Sequence, residues 1–352
     1  MDTLTHALSG ALIARVTMSS KPGPDTLPVG RRMLVGAAAA AFPDLDFVTS
    51  YMTPLAYLYH HRGVTHSLLM LPLWAVLVAV ILAAMWKFRP SWGAYLGIAA
   101  IGIATHIAGD LITSFGTMIF APVSDARYAL SATFIIDLWF SGIILTGLLA
   151  SAVWRSSRLA SVAASVVLVG YVGLQWLMQQ QAIAFGRDYA SRTAVDARRV
   201  TAVPRPVSPF NWTVVVEDGE QYSYAHVNLV RTRALRESDD DTGFIARLNA
   251  PYRPLAEAQW IAASRYGSTP DEQALVREAY AQTDFRFFRW FAVYPSLLRI
   301  EVGNPSACVW FQDLRFITPG RVTLPFRYGM CRENGGAWQP FQLIDEERRP
   351  LF

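Results

Sequence analysis

The 352-residue sequence predicts a membrane all-α helical bundle followed by a soluble α+β domain built mainly of antiparallel strands. Three observations carry this. Four apolar stretches are each long enough to cross a bilayer, which takes ~20 residues. Residues 1–178 contain no Glu and only seven of the 27 acidic residues, and the other 20 follow. Beyond that point, short alternating runs are separated by turn signals, the pattern of strands. The expected domains are therefore 1–180 and 181–352. A content of 53% hydrophobic and 16% charged residues fits a chain that is half membrane. The net charge of +4 is dispersed, with no basic stripe carrying interleaved aromatics, which argues against nucleic acid as a partner. The N-terminus has no basic n-region and His6 interrupts its apolar stretch, so it does not read as a cleaved signal peptide.

Taken in order, two short hydrophobic helices come first. Thr3–Val16 carries His6 and Arg15, with Asp2 as its N-cap. Met33–Val48 runs through an alanine tract into Phe42-Pro43-Asp44-Leu45-Asp46. Both read as short or partly inserted. The four clear spans are Ser67–Trp86, Trp92–Ile112, Leu130–Val153 and Leu159–Met178. After Met178 the apolar run ends in three glutamines, where the chain is expected to leave the membrane. Trp212–Val216 and Gln221–Val230 read as a hairpin turning at Asp218-Gly219. Thr269-Pro270-Asp271-Glu272 is a capping box that opens a helix to about Thr283. Leu297–Val302, Ala307–Ile317, Arg321–Tyr328 and Trp338–Leu343 read as an antiparallel meander. Cys308 and Cys331 are the only cysteines, and sequence leaves open a bridge or two buried thiols.

Orientation follows from the basic residues. If the segments alternate in direction, eight of the ten in residues 1–178 fall on one side, in the loops around 15–32, 87–91 and 154–158. Only Arg62 and Arg127 fall on the other. The positive-inside rule puts the larger group in the cytoplasm. It follows that His6, Asp44, Asp46, His60, His61, His66, His106, Asp110 and Asp137 share the extracytoplasmic end of their helices.

Five of the six histidines thus gather in the first 110 residues, three of them in Tyr59–Ser67 at the mouth of an apolar span. Ionisable groups in a membrane are costly and tend to pair or serve a function. His106 and Asp110 are four apart, on one helical face. Borderline divalent metals take His nitrogen and Asp oxygen together. His60 or His61 and His66 flank the Gly63 turn, from which they can converge, with Thr65 read as a helix cap. Asp44 and Asp46 follow Pro43 in a turn, and Asp137 is a lone carboxylate in an apolar span. The set reads as a metal centre. His226 lies in a predicted strand and is not counted as a ligand.

The motifs M-D-x-x-T-H at 1–6, F-P-D-x-D at 42–46, H-R-G-x-T-H-S at 61–67, H-x-x-G-D at 106–110 and F-I-I-D at 134–137 resemble those of the YdjM-type family of membrane-bound metal-dependent hydrolases. The segment Val309–Phe316 is similar to the soluble tails of its longer members. The resemblance implies a multi-pass protein of the bacterial inner membrane. It is more distantly similar to zinc-dependent phospholipase C and single-strand nucleases, although this pattern has Asp throughout and no Glu.

The expected activity is hydrolysis by one to three divalent ions, zinc with manganese as the substitute. The expected metal residues are His6, Asp46, His60, His61, His66, His106, Asp110 and Asp137. Asp44 and Arg62 are assigned to catalysis, Arg62 as a grip for a phosphate or carboxylate. A metal lowers the pKa of a bound water to ~7. A site at the membrane boundary points to a lipid or lipid-linked ester or phosphoester as substrate, and to membrane lipids as partners. Two rivals are an ion or proton pathway and a metal-stabilised scaffold without catalysis. A pathway should carry polar residues through the bundle, and Met70–Met85 and Trp92–Ala104 offer almost none.

Overall fold

The computed structural model describes residues 1–19, 23, 26–154, 157–235, 243–303, 306–319, 321, 324–333 and 335–351. Lys21, Asp25 and Arg155 lie outside them. The chain divides into Met1–Trp176 and Leu177–Phe352, four residues before the expected boundary.

The first unit is helical. It contains α1 (Thr3–Val16), α2 (Val29–Ala41), α3 (Pro54–His60), α4 (Leu71–Met85), α5 (Gly93–Leu111), α6 (Leu138–Val153) and the first half of α7 (Leu159–Thr193). Asp2 caps α1 as expected, accepting from the Thr5 amide. The α-helix ends at Ala41, and the chain tightens into a 3-10 helix over Phe42–Tyr51 with Pro43 in its first turn. Together Val29–Tyr51 form a 23-residue stretch apolar enough to cross a membrane, so this segment is a full-length candidate rather than a short one. Gly93–Leu111 and Leu159–Thr193 also qualify.

The other two expected spans differ. Ser67–Trp86 is helical only from Leu71, and the preceding Pro54–His66 stretch meets α4 at 83°. Leu130–Val153 is helical only from Leu138. Asp137 caps α6 by accepting from the amides of Trp139 and Phe140, and the amides of Leu130, Ala132 and Thr133 donate back to Leu111 and Ile112. That folding-back leaves a 16-residue helix, shorter than a straight span needs.

One end of this unit is tied by arginines. Arg32 donates to the Ala14 and Thr17 carbonyls, Arg31 to Arg89, and Arg158 to Met18. The loops assigned together from their charge therefore do share one end. The bundle core between the two ends is apolar, with Val35, Ala39, Val78, Tyr95, Ile98, Ala99 and Ile103 fully buried.

The second unit is α+β. The second half of α7 continues through the glutamines to Thr193, because helix formers outlast the apolar run. One five-stranded sheet has the order β1 (Arg199–Pro204), β2 (Asn211–Asp218), β3 (Gln221–Asn228) and β4 (Arg253–Pro254), with β5 (Trp260–Ser264) also on β3. Gly219 takes φ +62° in the β2–β3 turn, as the hairpin requires. α8 (Phe244–Asn249), α9 (Pro270–Ala281) and α10 (Arg286–Phe291) follow, α9 with its capping box formed.

The second sheet is an antiparallel meander of β6 (Pro295–Val302), β7 (Ser306–Asp313), β8 (Tyr328–Glu333), β9 (Gln339–Ile344) and β10 (Glu347–Pro350). Arg321–Tyr328 is not the strand. Pairing starts at Tyr328, and residues 322 and 323 lie outside the described ones. β7 stops at Asp313, whose carboxylate accepts from the Val293 and Arg315 amides and pairs with the Arg315 guanidinium, both side chains buried. Cys308 and Cys331 sit opposite each other on β7 and β8 and are joined as a disulfide. His226 bonds Thr213 across the first sheet and has no place in the His/Asp cluster.

Candidate metal centre

At the end of the helical unit opposite the arginines, α1, α5, the 3-10 helix Phe42–Tyr51 and a second short 3-10 turn, Val64–His66, converge. Asp44, His66, His106 and Asp110 each offer one atom to a common point, the four lying within 4.8 Å of one another, and all four residues are buried.

Each imidazole is fixed by its outer nitrogen. His106 Nδ1 is 2.5 Å from the Ala40 carbonyl, which only accepts, so Nδ1 carries the proton. His66 Nδ1 meets Thr65 Oγ1 at 3.0 Å, and that hydroxyl donates to Asp46 Oδ2 at 3.0 Å. Asp46 Oδ2 itself lies 3.3 Å from His66 Nδ1. A proton on each Nδ1 directs both Nε2 atoms inward, the arrangement by which ligating histidines are held.

The carboxylates are divided in the same way. Asp110 Oδ1 is saturated by Arg62 at 2.9 Å, by His6 at 3.1 Å and by the Met1 amino group. Its Oδ2 is buried and accepts no hydrogen bond. Asp44 Oδ2 accepts from Thr3 at 2.6 Å, which leaves Oδ1 facing the imidazoles.

Two imidazole nitrogens and two carboxylate oxygens thus surround one point. His66 Nε2 and His106 Nε2 are 2.9 Å apart. Asp110 Oδ2 is 3.2 and 3.5 Å from them, and Asp44 Oδ1 is 3.7 and 3.6 Å. Donors held ~2.0–2.1 Å from a tetrahedral ion stand about 3.3–3.4 Å apart. The residues fit a divalent metal, and two buried carboxylates facing one point are costly without a cation.

The remaining expected residues fall into three groups. Asp46, His6 and His61 adjoin the centre without belonging to the four. Asp46 accepts from the Arg62 amide at 3.0 Å and meets His61 Nδ1 at 2.7 Å, so it braces the rings from behind. His6 stacks on His106 with centroids 3.7 Å apart. His61, not His60, enters the network, while His60 is exposed at the end of α3. Asp137 serves elsewhere, as the α6 cap and as acceptor for Tyr171 and Gln175. Arg62, expected to grip a substrate anion, is instead 1% exposed and turned inward onto Asp110 and Thr113. It takes φ +60°, which swings its side chain beneath the turn. Thr65 does not cap a helix but links His66 to Asp46. Thr3, Thr113 and the Ala40 carbonyl were not legible as site groups, since threonines and backbone carry no metal signature. The T-H pairs at 5–6 and 65–66 were the nearest signal.

A family model described as YdjM inner membrane protein matches residues 1–182, a span that contains every residue of the centre. The chain belongs to the YdjM inner membrane protein family. As a YdjM-family member with three helices long and apolar enough to cross a bilayer among the described residues, it is a membrane protein. The uncharacterized protein YfhP of Bacillus subtilis strain 168 is similar, 26% identical over 183 residues. That match covers 51% of this chain and 55% of YfhP, so the chain spans about half the length of this relative. No solved structure matches.

Asp46→Asn tests the bracing role. It is expected to weaken metal affinity about 10–100-fold, the usual cost of losing a residue that orients a ligand. His60→Ala should leave affinity unchanged. Competition against a chromogenic chelator reads both, and equal affinity in Asp46→Asn and wild type would remove Asp46 from the site.

Proposed function

We propose that this YdjM-family protein is a membrane-bound metal-dependent hydrolase that cleaves an ester or phosphoester of a lipid or lipid-linked substrate. The observation that supports it is the convergence of four side-chain atoms, from Asp44, His66, His106 and Asp110, one of them an orphaned carboxylate oxygen. Nitrogen and oxygen donors together favour zinc, with manganese as the substitute. Bound there, such an ion would supply Lewis acidity, polarising an ester or phosphoryl oxygen and lowering the pKa of a water to ~7.

The chain's own residues do the rest. Thr65 and Asp46 hold the proton on His66 Nδ1, and Ala40 holds that on His106, so both Nε2 atoms stay open as donors to the ion. Arg62 holds Asp110 Oδ1 and aims Oδ2 at the centre. Catalytic zinc sites keep three protein ligands and one open position. Asp44 is 7% exposed, against 0% for the other three, and Thr3 is the one side chain described as donating to it. If an ion were held by the other three, Asp44 would be the residue nearest the surface beside it.

The site is assigned to the extracytoplasmic side. The arginine-bearing loops lie at the other end, where the positive-inside rule places the cytoplasm. The disulfide Cys308–Cys331 supports an oxidising compartment for the second unit. A lipid substrate follows from a site at a membrane boundary.

A four-protein-ligand set is also the coordination of a structural zinc, which favours the scaffold as the second reading. The ion-pathway reading loses support, because α5 continues from the centre through Ile107, Ile103, Gly102, Ala99 and Ile98, all buried and apolar. The test is turnover by the zinc-loaded full chain on phospholipids and lipid-linked phosphoesters in mixed vesicles, with products read by mass spectrometry. Product release that falls at least about 100-fold in His106→Ala is expected, a loss of ~2.7 kcal/mol in transition-state stabilisation. A metal-replete protein silent on phosphoesters and carboxylic esters alike would leave the scaffold.

A further inference from the structure

Arg62 is engaged by Asp110 and Thr113, so a substrate oxygen at the metal centre has to be met by another group. A polar side chain that the site does not already use is Tyr57, in α3. It stands four residues before His61, a spacing that puts the two on one face, and the His61 amide donates to its carbonyl at 2.8 Å. Their rings stack, with centroids 4.6 Å apart and planes 16° from parallel. His61 meets His66 edge-on at 5.9 Å, and His66 meets His106 at 4.7 Å. Four rings thus run in series from Tyr57 to the two imidazoles of the centre.

The ring is held and the hydroxyl is not. Tyr57 is half-buried, and its hydroxyl makes no hydrogen bond among the described residues. The charges of Arg62, Asp46, Asp44 and Asp110 all bear on that group, which places it beside the centre rather than on the far side of α3. A phenol is a neutral donor, so it can meet an oxygen without the desolvation cost of a further charged side chain.

We propose that Tyr57 is the substrate-facing donor of the centre, its hydroxyl donating a hydrogen bond to a nonbridging oxygen of a phosphoester bound there. This rests on the hydrolase reading for the identity of the ligand, and it narrows the substrate class from esters in general to phosphoesters. A phosphoester presents at least two nonbridging oxygens, where a carboxylic ester has a single carbonyl oxygen. A donor set apart from the four cluster residues suits the second of them. His61 then acts as a positioning residue, holding the Tyr57 ring from one side while Asp46 holds its own Nδ1.

The test is titration calorimetry of the zinc-loaded full chain in detergent with inorganic phosphate, read beside metal content per chain. Tyr57→Phe keeps a ring to stack on His61 and removes only the hydroxyl, so a purely structural role would not register in it. This variant is expected to hold its metal and to bind phosphate about tenfold more weakly than wild type, the loss that goes with one hydrogen bond to a charged group. Tyr51→Phe is the control and should match wild type, since Tyr51 is 80% exposed. Phosphate binding needs no turnover. A protein that binds phosphate through Tyr57 yet cleaves no ester would support the donor while the hydrolase reading fell. Wild-type phosphate affinity in Tyr57→Phe, loss of metal from that variant, or no phosphate binding by the wild type would each overturn the proposal.

Discussion

Detergent-purified protein is expected to carry about one equivalent of divalent metal per chain, and His66→Ala and Asp110→Ala to carry almost none. A ligand lost should cost more than the 10–100-fold given up when an orienting residue is lost. Asp110→Ala also strands Arg62, which is buried against it, and breaking a buried ion pair costs ~3–5 kcal/mol. That variant should therefore unfold at lower temperature as well as lose metal. His66→Ala leaves the Arg62–Asp110 pair in place and is the cleaner reading. His60→Ala and Asp137→Asn should keep full metal content, because His60 is exposed and Asp137 is engaged by Tyr171 and Gln175. Inductively coupled plasma mass spectrometry on the five proteins side by side settles it. Metal retained by both His66→Ala and Asp110→Ala would mean that it is bound elsewhere.

The second large effect is expected far from any ligand. α1 and α2 cross at Gly10 and Gly36, so closely that a Cβ on either would run into the backbone carbonyl of the other. Small residues at helix crossings in membranes permit this backbone approach. Gly10→Ala or Gly36→Ala must push the helices apart, and overpacking of this kind costs ~1–3 kcal/mol, more where the obstacle is backbone. α1 carries Thr3 and His6, while the chain after α2 carries Asp44, so separation should also loosen the metal. Gly97→Ala is the control, since its Cβ would meet nothing within 4 Å. The expected result is a lowered melting temperature and lowered metal affinity in the first two variants and neither in the third. Wild-type values for Gly36→Ala would show that the crossing is looser than described.

Much of this was legible in the chain. Period and length placed α1, α5 and the start of α7, and the charge asymmetry correctly grouped the loops at one end. The motifs at 42–46, 61–67 and 106–110 contain all four residues of the cluster, with Asp44 expected in catalysis rather than among the metal residues. What sequence could not supply was direction. Asp44 and Asp46 are two apart, and only the 3-10 turn after Pro43 decides that Asp44 faces the imidazoles while Asp46 stands behind them. Arg62 reads as a substrate grip from its place beside the histidines, and its positive φ turns it inward instead. The start of α6 was missed because the residues before Asp137 are apolar enough to pass for helix. β1, β5 and β10 are short, which leaves periodicity little to register.

The four residues of the cluster sit at positions 44, 66, 106 and 110, in segments that would enter the membrane one after another during synthesis. No two of these segments complete the set, so the centre cannot exist until α5 has been inserted with the right polarity. A chain with one of these segments threaded in reverse would leave its carboxylate or imidazole at the opposite face of the bilayer from the others, and the set of four would stay incomplete.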